Sequence, residues 1–114
     1  MSKQTPKAAL RKLEQRDGHE CAWHGVNCGT DTLVPQHRQG GMGGSPLKHR
    51  LSNLVWLCSR MNGDIEADAD LAMEARERGI KVGFWADTET IPVVYSDGSP
   101  WWLSDDGTKR GQPF

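Results

Sequence analysis

Residues 33–62 read LVPQHRQGGMGGSPLKHRLSNLVWLCSRMN, and the reading of this stretch decides how the chain folds. Leu33-Val34 and Leu54-Val55-Trp56-Leu57 are runs of branched or bulky apolar side chains bounded by turn residues, so each reads as a short strand. Ser59 stands where a cap belongs, and residues 60–66 read as a short helix entered straight from the second strand. The order is strand, glycine-rich loop, strand, helix. His37 closes the first strand, and Asn53 and Asn62 stand at the two ends of the second. One histidine and two amides are therefore carried on neighbouring elements of a single small unit.

A chain of 114 residues is expected to form one domain with a small core. Hydrophobic residues at 36% with 13 Gly and 6 Pro point to a loop-rich globular protein rather than a disordered one. No apolar run is long enough to cross a membrane, and the charged opening MSKQTPKAALRKL lacks a signal-peptide core, so the expectation is a cytoplasmic protein without a membrane partner. Three cysteines without a secretion signal argue against a disulfide scaffold and leave metal binding or plain burial. Net charge is only −1, but residues 1–50 hold eight Lys/Arg against four Asp/Glu, and residues 51–114 hold six against eleven. A basic half that contains the candidate site suits a polyanionic substrate.

At His37, at the loop GMGGS of Gly41 to Ser45, at SNLVWLC of Ser52 to Cys58 and at Asn62, the chain resembles the HNH endonuclease family, also called the ββα-metal fold, and most closely its small phage-encoded members. The resemblance covers the middle half of the chain and continues through an acidic helix to Ile80. Together with the flanking residues read by themselves, the expectation is an α+β, single-domain ββα-metal protein: an N-terminal helix at 5–18, an HNH-like core at 19–66, a helix at 67–80, a β-hairpin at 81–104 and a tail at 105–114. The resemblance itself implies hydrolysis of DNA phosphodiester bonds, with His37 as the general base that takes a proton from the attacking water, a task its near-neutral pKa suits. Asn53 is then the support that fixes the loop and orients the histidine. One divalent cation, Mg²⁺ or Mn²⁺, is implied between the residue before the base and a helix residue, here Gln36 and Asn62. Asparagine at the helix position matches HNN variants of the family. Glutamine at position 36 offers a neutral carbonyl where a charged ligand is usual, and Mg²⁺ prefers carboxylate oxygen; Asp64 is the nearby acid that could be recruited. A reading from a different class keeps the scaffold but not the chemistry: a relative that binds DNA or a host protein without cleaving.

The flanks add detail. Thr5-Pro6 open the first helix and Gly18 closes it; Leu10 and Leu13 form a thin apolar stripe, and Arg16-Asp17-Gly18 end it. Cys21, His24 and Cys28 lie within eight positions, and Cys58 follows later. Thiolates and a neutral imidazole are good Zn²⁺ ligands, so one reading is a Cys₃His structural site; the other has Cys58 as a small core residue and the rest covering a loop. The family's usual staple is two CxxC pairs, from which this chain departs at C-x-x-H-x-x-x-C and at Met61. Arg38, Lys48 and Arg50, around a loop with four glycines between 39 and 50, are the expected DNA-phosphate contacts. Farther on, Asp68 or Asp70 begins a helix that Gly79 ends, residues 80–82 read as extended, and residues 91–95 and 101–103 flank an Asp97-Gly98 hairpin turn with Pro92 on an edge strand. Trp101 and Trp102 read as hairpin packing or base stacking, and the chain after Asp105 as a frayed tail.

Overall fold

The strand at the end of the decisive stretch is buried along its whole length, and the other elements are layered on its two faces. The computed structural model describes residues 5–28, 32–40 and 46–112; the GMGGS loop at 41–45 and the last two residues of the tail lie outside them. Among the described residues the chain is α+β. Its elements are α1 (Lys7–Asp17), β1 (Leu33–His37), β2 (Leu54–Cys58), α2 (Ser59–Ala67), α3 (Ala69–Glu77), β3 (Val93–Val94), β4 (Pro100–Leu103) and β5 (Lys109–Arg110). Short 3-10 turns cover Val26–Cys28, Pro46–His49 and Leu51–Asn53.

β1 and β2 pair antiparallel in a two-stranded sheet, from Leu33 opposite Cys58 to His37 opposite Leu54. A two-stranded ribbon is marginal by itself, and strand residues alternate in direction, so each face of β2 needs a cover. Leu54 and Trp56 pack with Ala9 and Leu13 of α1 and with Leu51. Val55 and Leu57 pack with Met61 and Ile65 of α2, Ala75 of α3, Ile80, Val93 and Leu103. Burying those side chains supplies about 1.5–3 kcal/mol for each large one, which is what fixes the ribbon's position.

Local chemistry sets several boundaries differently from the sequence reading. Helix α1 has Pro6 at its N-cap and no side-chain cap bond, so Thr5 does not cap it, while Gly18 ends it at φ 67° as expected. The cap of α2 is Cys58 rather than Ser59: its sulfur accepts from the Met61 amide at 3.4 Å. Asp68 caps α3 through the amides of Asp70 and Leu71. Beyond α3, Gly79 has φ +70° and sits so close to Pro92 that a Cβ would lie 2.0 Å from that carbonyl oxygen; only glycine fits there. Residues 80–82 form no strand, only an isolated parallel bridge between Val82 and Gln39.

The C-terminal region is a three-stranded sheet in the order β3-β4-β5, which puts β3, next to Pro92, on an edge. The segment expected to fray instead supplies β5. Asp106 accepts from the Thr108 amide at 2.9 Å and Gly107 adopts φ 91°, a second turn that returns the chain to pair Leu103 with Lys109.

A buried ionic knot joins α1 to both sheets. Arg16 grips Asp17 with two hydrogen bonds of 2.9 and 2.8 Å and also donates to the carbonyls of Leu51 and Leu54. Asp17 further accepts from the Tyr95 hydroxyl at 2.9 Å and from Lys109 at 3.1 Å. Burial would raise the Asp17 carboxyl, but the hydrogen bond and charge of Arg16, with Lys109 and Tyr95, hold it below its ordinary value. A carboxyl depressed in the folded state adds stability above its unfolded pKa of about 4 and loses it as pH falls through the lower folded value. Asp17→Asn is therefore expected to destabilise the protein by about 3 kcal/mol at pH 7, since the Arg16 charge stays buried. Urea unfolding as a function of pH checks this: the gap between wild type and variant should close in acid.

Candidate metal centre and histidine site

Two polar sites occupy the two ends of the β1–β2 ribbon. At the Leu33–Cys58 end, the turn after α1 brings three side chains to the start of α2. Gly25, at φ 72°, donates its amide to the Cys21 carbonyl at 2.7 Å, and the Cys28 amide returns to Gly25. Cys21, His24 and Cys28 converge there with Cys58, and the four ligand atoms all lie within 4.8 Å of one another. His24 Nδ1 is 3.7, 3.5 and 3.7 Å from the sulfurs of Cys21, Cys28 and Cys58. A tetrahedral site with Zn–S near 2.3 Å and Zn–N near 2.0 Å has S···N edges of about 3.5 Å, so the spacing suits one ion held by all four. Amides of Cys58 and Met61 point at the sulfurs of Cys21 and Cys58, each at 3.4 Å, and such donors stabilise thiolate charge. No disulfide links these cysteines. The group can hold a metal ion; among the described residues it is the one cluster of three or more His, Cys, Asp or Glu side chains that can. The reading that left Cys58 as packing alone missed that Cys58 both lines the core and faces the cluster.

At the other end, Asn53 clamps the loop between the strands. Its side-chain oxygen accepts from the Gln39 amide at 2.7 Å, and its side-chain nitrogen donates to the Lys48 carbonyl at 2.8 Å, so both ends of the loop are held. His37 sits at the end of β1, half-buried, with Nε2 3.2 Å from Nδ1 of His49 in the 46–49 turn. Burial first, then the neighbouring His49 and Lys48, lower the His37 pKa, which favours the neutral ring. His49 is the neighbour of His37 that sequence reasoning missed; its only signal is a second imidazole near the end of the same loop.

Gln36, one residue earlier, turns to α2 instead. Its side-chain oxygen accepts a short hydrogen bond from the Asn62 amide, and its nitrogen donates to the His37 carbonyl at 3.1 Å. Mg²⁺ and Mn²⁺ do not fit this pair well: both groups are neutral, and the Gln36 oxygen is already used by Asn62. Asp64 does not supply the missing charge here, since it lines a hollow with His24, Cys28 and Cys58 beside the other site.

The expected phosphate contacts divide. Arg38 is not on the surface, being only 1% exposed. Its guanidinium donates to the carbonyls of Gly79, Ser52, Thr88 and Ile91 at 2.7, 2.6, 2.9 and 2.6 Å, and burial lowers its pKa to about 10. It is a structural tie and cannot touch DNA without unfolding its surroundings. Arg50 donates to the Gln39 side-chain oxygen at 3.1 Å, while Lys48 is half-buried beside His49. Comparison of the chain with protein-family models, with curated proteins and with solved structures returns no match.

The convergent cysteines generate a quantitative expectation. The purified protein should carry close to one thiolate-bound metal ion per chain, and Cys58→Ser should lose most of it together with much of its thermal stability. Elemental analysis beside a melting curve measures both, and a well-folded wild type free of metal would remove the site.

Proposed function

We propose that this chain is an HNH-type ββα nuclease acting on DNA, stapled by a structural zinc ion at Cys21, His24, Cys28 and Cys58. The observation that carries the reading is the disposition of His37. It stands at the end of β1 paired to His49, where burial favours its neutral form, in a strand–loop–strand–helix unit whose loop Asn53 clamps at both ends. A base must be unprotonated before it acts, and burial beside His49 and Lys48 favours that state.

Zinc suits the cluster because three sulfurs and one imidazole nitrogen match its preference, and it would supply cross-linking rather than chemistry, joining the turn after α1 to the start of α2. In the hydrolytic step His37 removes a proton from water as the water oxygen bonds to phosphorus. The P–O bond to the departing sugar oxygen breaks, and that oxygen takes a proton from solvent. In the tautomer that has Nε2 of His37 donating to His49 Nδ1, the His37 Nδ1 lone pair is the one left for the water proton. Lys48 adds positive charge near the phosphate. No step is routed through a cation at Gln36 and Asn62, because that neutral pair fits Mg²⁺ or Mn²⁺ poorly. The same amide pair favours the second reading, a domain that binds DNA or a host protein without cleaving it.

Plasmid DNA incubated with the protein and Mg²⁺ or Mn²⁺ separates the two. Cleavage that His37→Ala lowers by about 10²–10⁴-fold is expected for the base, whereas binding without cleavage in wild type gives the second reading. Gln36→Asp, with Gln36→Glu as the control for reach, should tighten Mn²⁺ binding, since either adds an anionic ligand beside Asn62. Unchanged Mn²⁺ affinity in both variants would show that position 36 does not face a cation.

A further inference from the structure

Gln39 holds a neighbouring segment in an unusual way. Its buried side-chain nitrogen faces the carbonyls of Gly83, Phe84 and Ala86 at 2.7, 2.8 and 2.8 Å, while its oxygen accepts from Arg50 and its own amide is held by Asn53. The Val82 amide donates to the Arg38 carbonyl at 2.9 Å, fixing the segment's start. With these carbonyls turned inward, the side chains of Phe84 and Trp85 stand 68% and 98% exposed. Large aromatic side chains normally bury most of their surface, and here a fixed backbone displays two in succession.

Phe84 also lines a hollow of about 270 Å³ with Gly40, Val82, Gly83 and the cations Arg76 and Lys81. Among the described residues no carboxylate lines it, although exposed Glu66 lies 3.7 Å from Lys81. We propose that Phe84 and Trp85 form a base-stacking platform for a single-stranded nucleic-acid segment, whose phosphates Arg76 and Lys81 meet. Aromatic faces stack on any base and cations neutralise the backbone, so this combination takes a single strand with little sequence preference. A duplex hides its base faces and cannot use exposed rings in this way. Gln39 follows His37 by two residues and bridges to Val82, so the platform and the His37–His49 pair are joined through neighbouring backbone. The inference rests on the nucleic-acid reading above and adds to it a site for a single-stranded stretch of the substrate.

Fluorescence anisotropy with a labelled oligothymidylate of about twelve nucleotides tests the platform. Phe84→Ala and Trp85→Ala should each weaken binding by about tenfold, and both residues are exposed enough for the fold to be unaffected, which circular dichroism verifies. An abasic strand of the same length should bind wild type more weakly than oligothymidylate binds Trp85→Ala, since it loses both stacks. Equal binding by wild type and both variants, or of the abasic and normal strands, overturns the platform. If that happens while plasmid is still cleaved, the platform alone fails; if the protein neither binds nor cleaves nucleic acid of any kind, the functional reading fails with it. Sedimentation supplies the rival outcome. Wild-type dimers that Trp85→Ala converts to monomers, with unchanged affinity for the strand, would make the patch an interface between copies of the chain and overturn the proposal.

Discussion

The guanidinium of Arg38 is the interaction on which the arrangement of this protein depends. It leaves the end of β1 and donates to four carbonyls from the 51–53 turn and from the segments around 79, 88 and 91. A charge buried without a carboxylate is expensive to desolvate, and carbonyl dipoles are what offset that here. The consequence is geometric. The irregular segment between α3 and β3 has little regular structure of its own, so its path is set from outside by one side chain. Next to it, Gln39 fixes residues 83–86 by the same device. Two consecutive residues after His37 thus organise the C-terminal third of the molecule, and the histidine site and the exposed aromatic pair inherit their positions from them.

The β1–β2 ribbon is restrained at both ends by different chemistry. At Cys58 the restraint would be the metal ion that the Cys/His cluster can hold, and at Leu54 it is Asn53 with the Arg16–Asp17 knot. Five paired residues span roughly 13 Å, too short a ribbon to stay in place by its ladder alone. Helices α1 and α2 cover its faces. Rigid support of this kind is what a positioned base needs, since small displacements weaken proton transfer sharply.

Much of this was legible in the chain. The apolar run Leu54 to Leu57, the glycines 18 and 79, and the Asp97-Gly98 turn carry local signals strong enough to fix elements without tertiary information. The loop-closing role of Asn53 came with the family resemblance, and its hydrogen bonds to Gln39 and Lys48 give the physical means. What escaped reading was non-local. Nothing around Arg38 distinguishes a cation for phosphate from one for buried carbonyls, because the carbonyls lie 14 to 53 residues away. The Cys21, His24, Cys28 and Cys58 set was one of two readings the spacing left open, and only the return of the chain at Cys58 brings its ligand atoms within 4.8 Å of one another. Strand β5 was mistaken for a tail because polarity outweighed the Asp106-Gly107 turn signal, and its anchor, Asp17, is 92 residues distant from Lys109.

Native-state hydrogen exchange tests most directly whether Arg38 and its neighbours bind these segments into one cooperative unit. The Gln39 amide on Asn53, the Val82 amide on the Arg38 carbonyl and the β2 ladder amides report the three regions involved. The account predicts that all exchange through the same global opening, with one free energy and one denaturant dependence. It would be contradicted if the Val82 amide exchanged through a local opening easier by about 2 kcal/mol or more while the β2 ladder stayed protected.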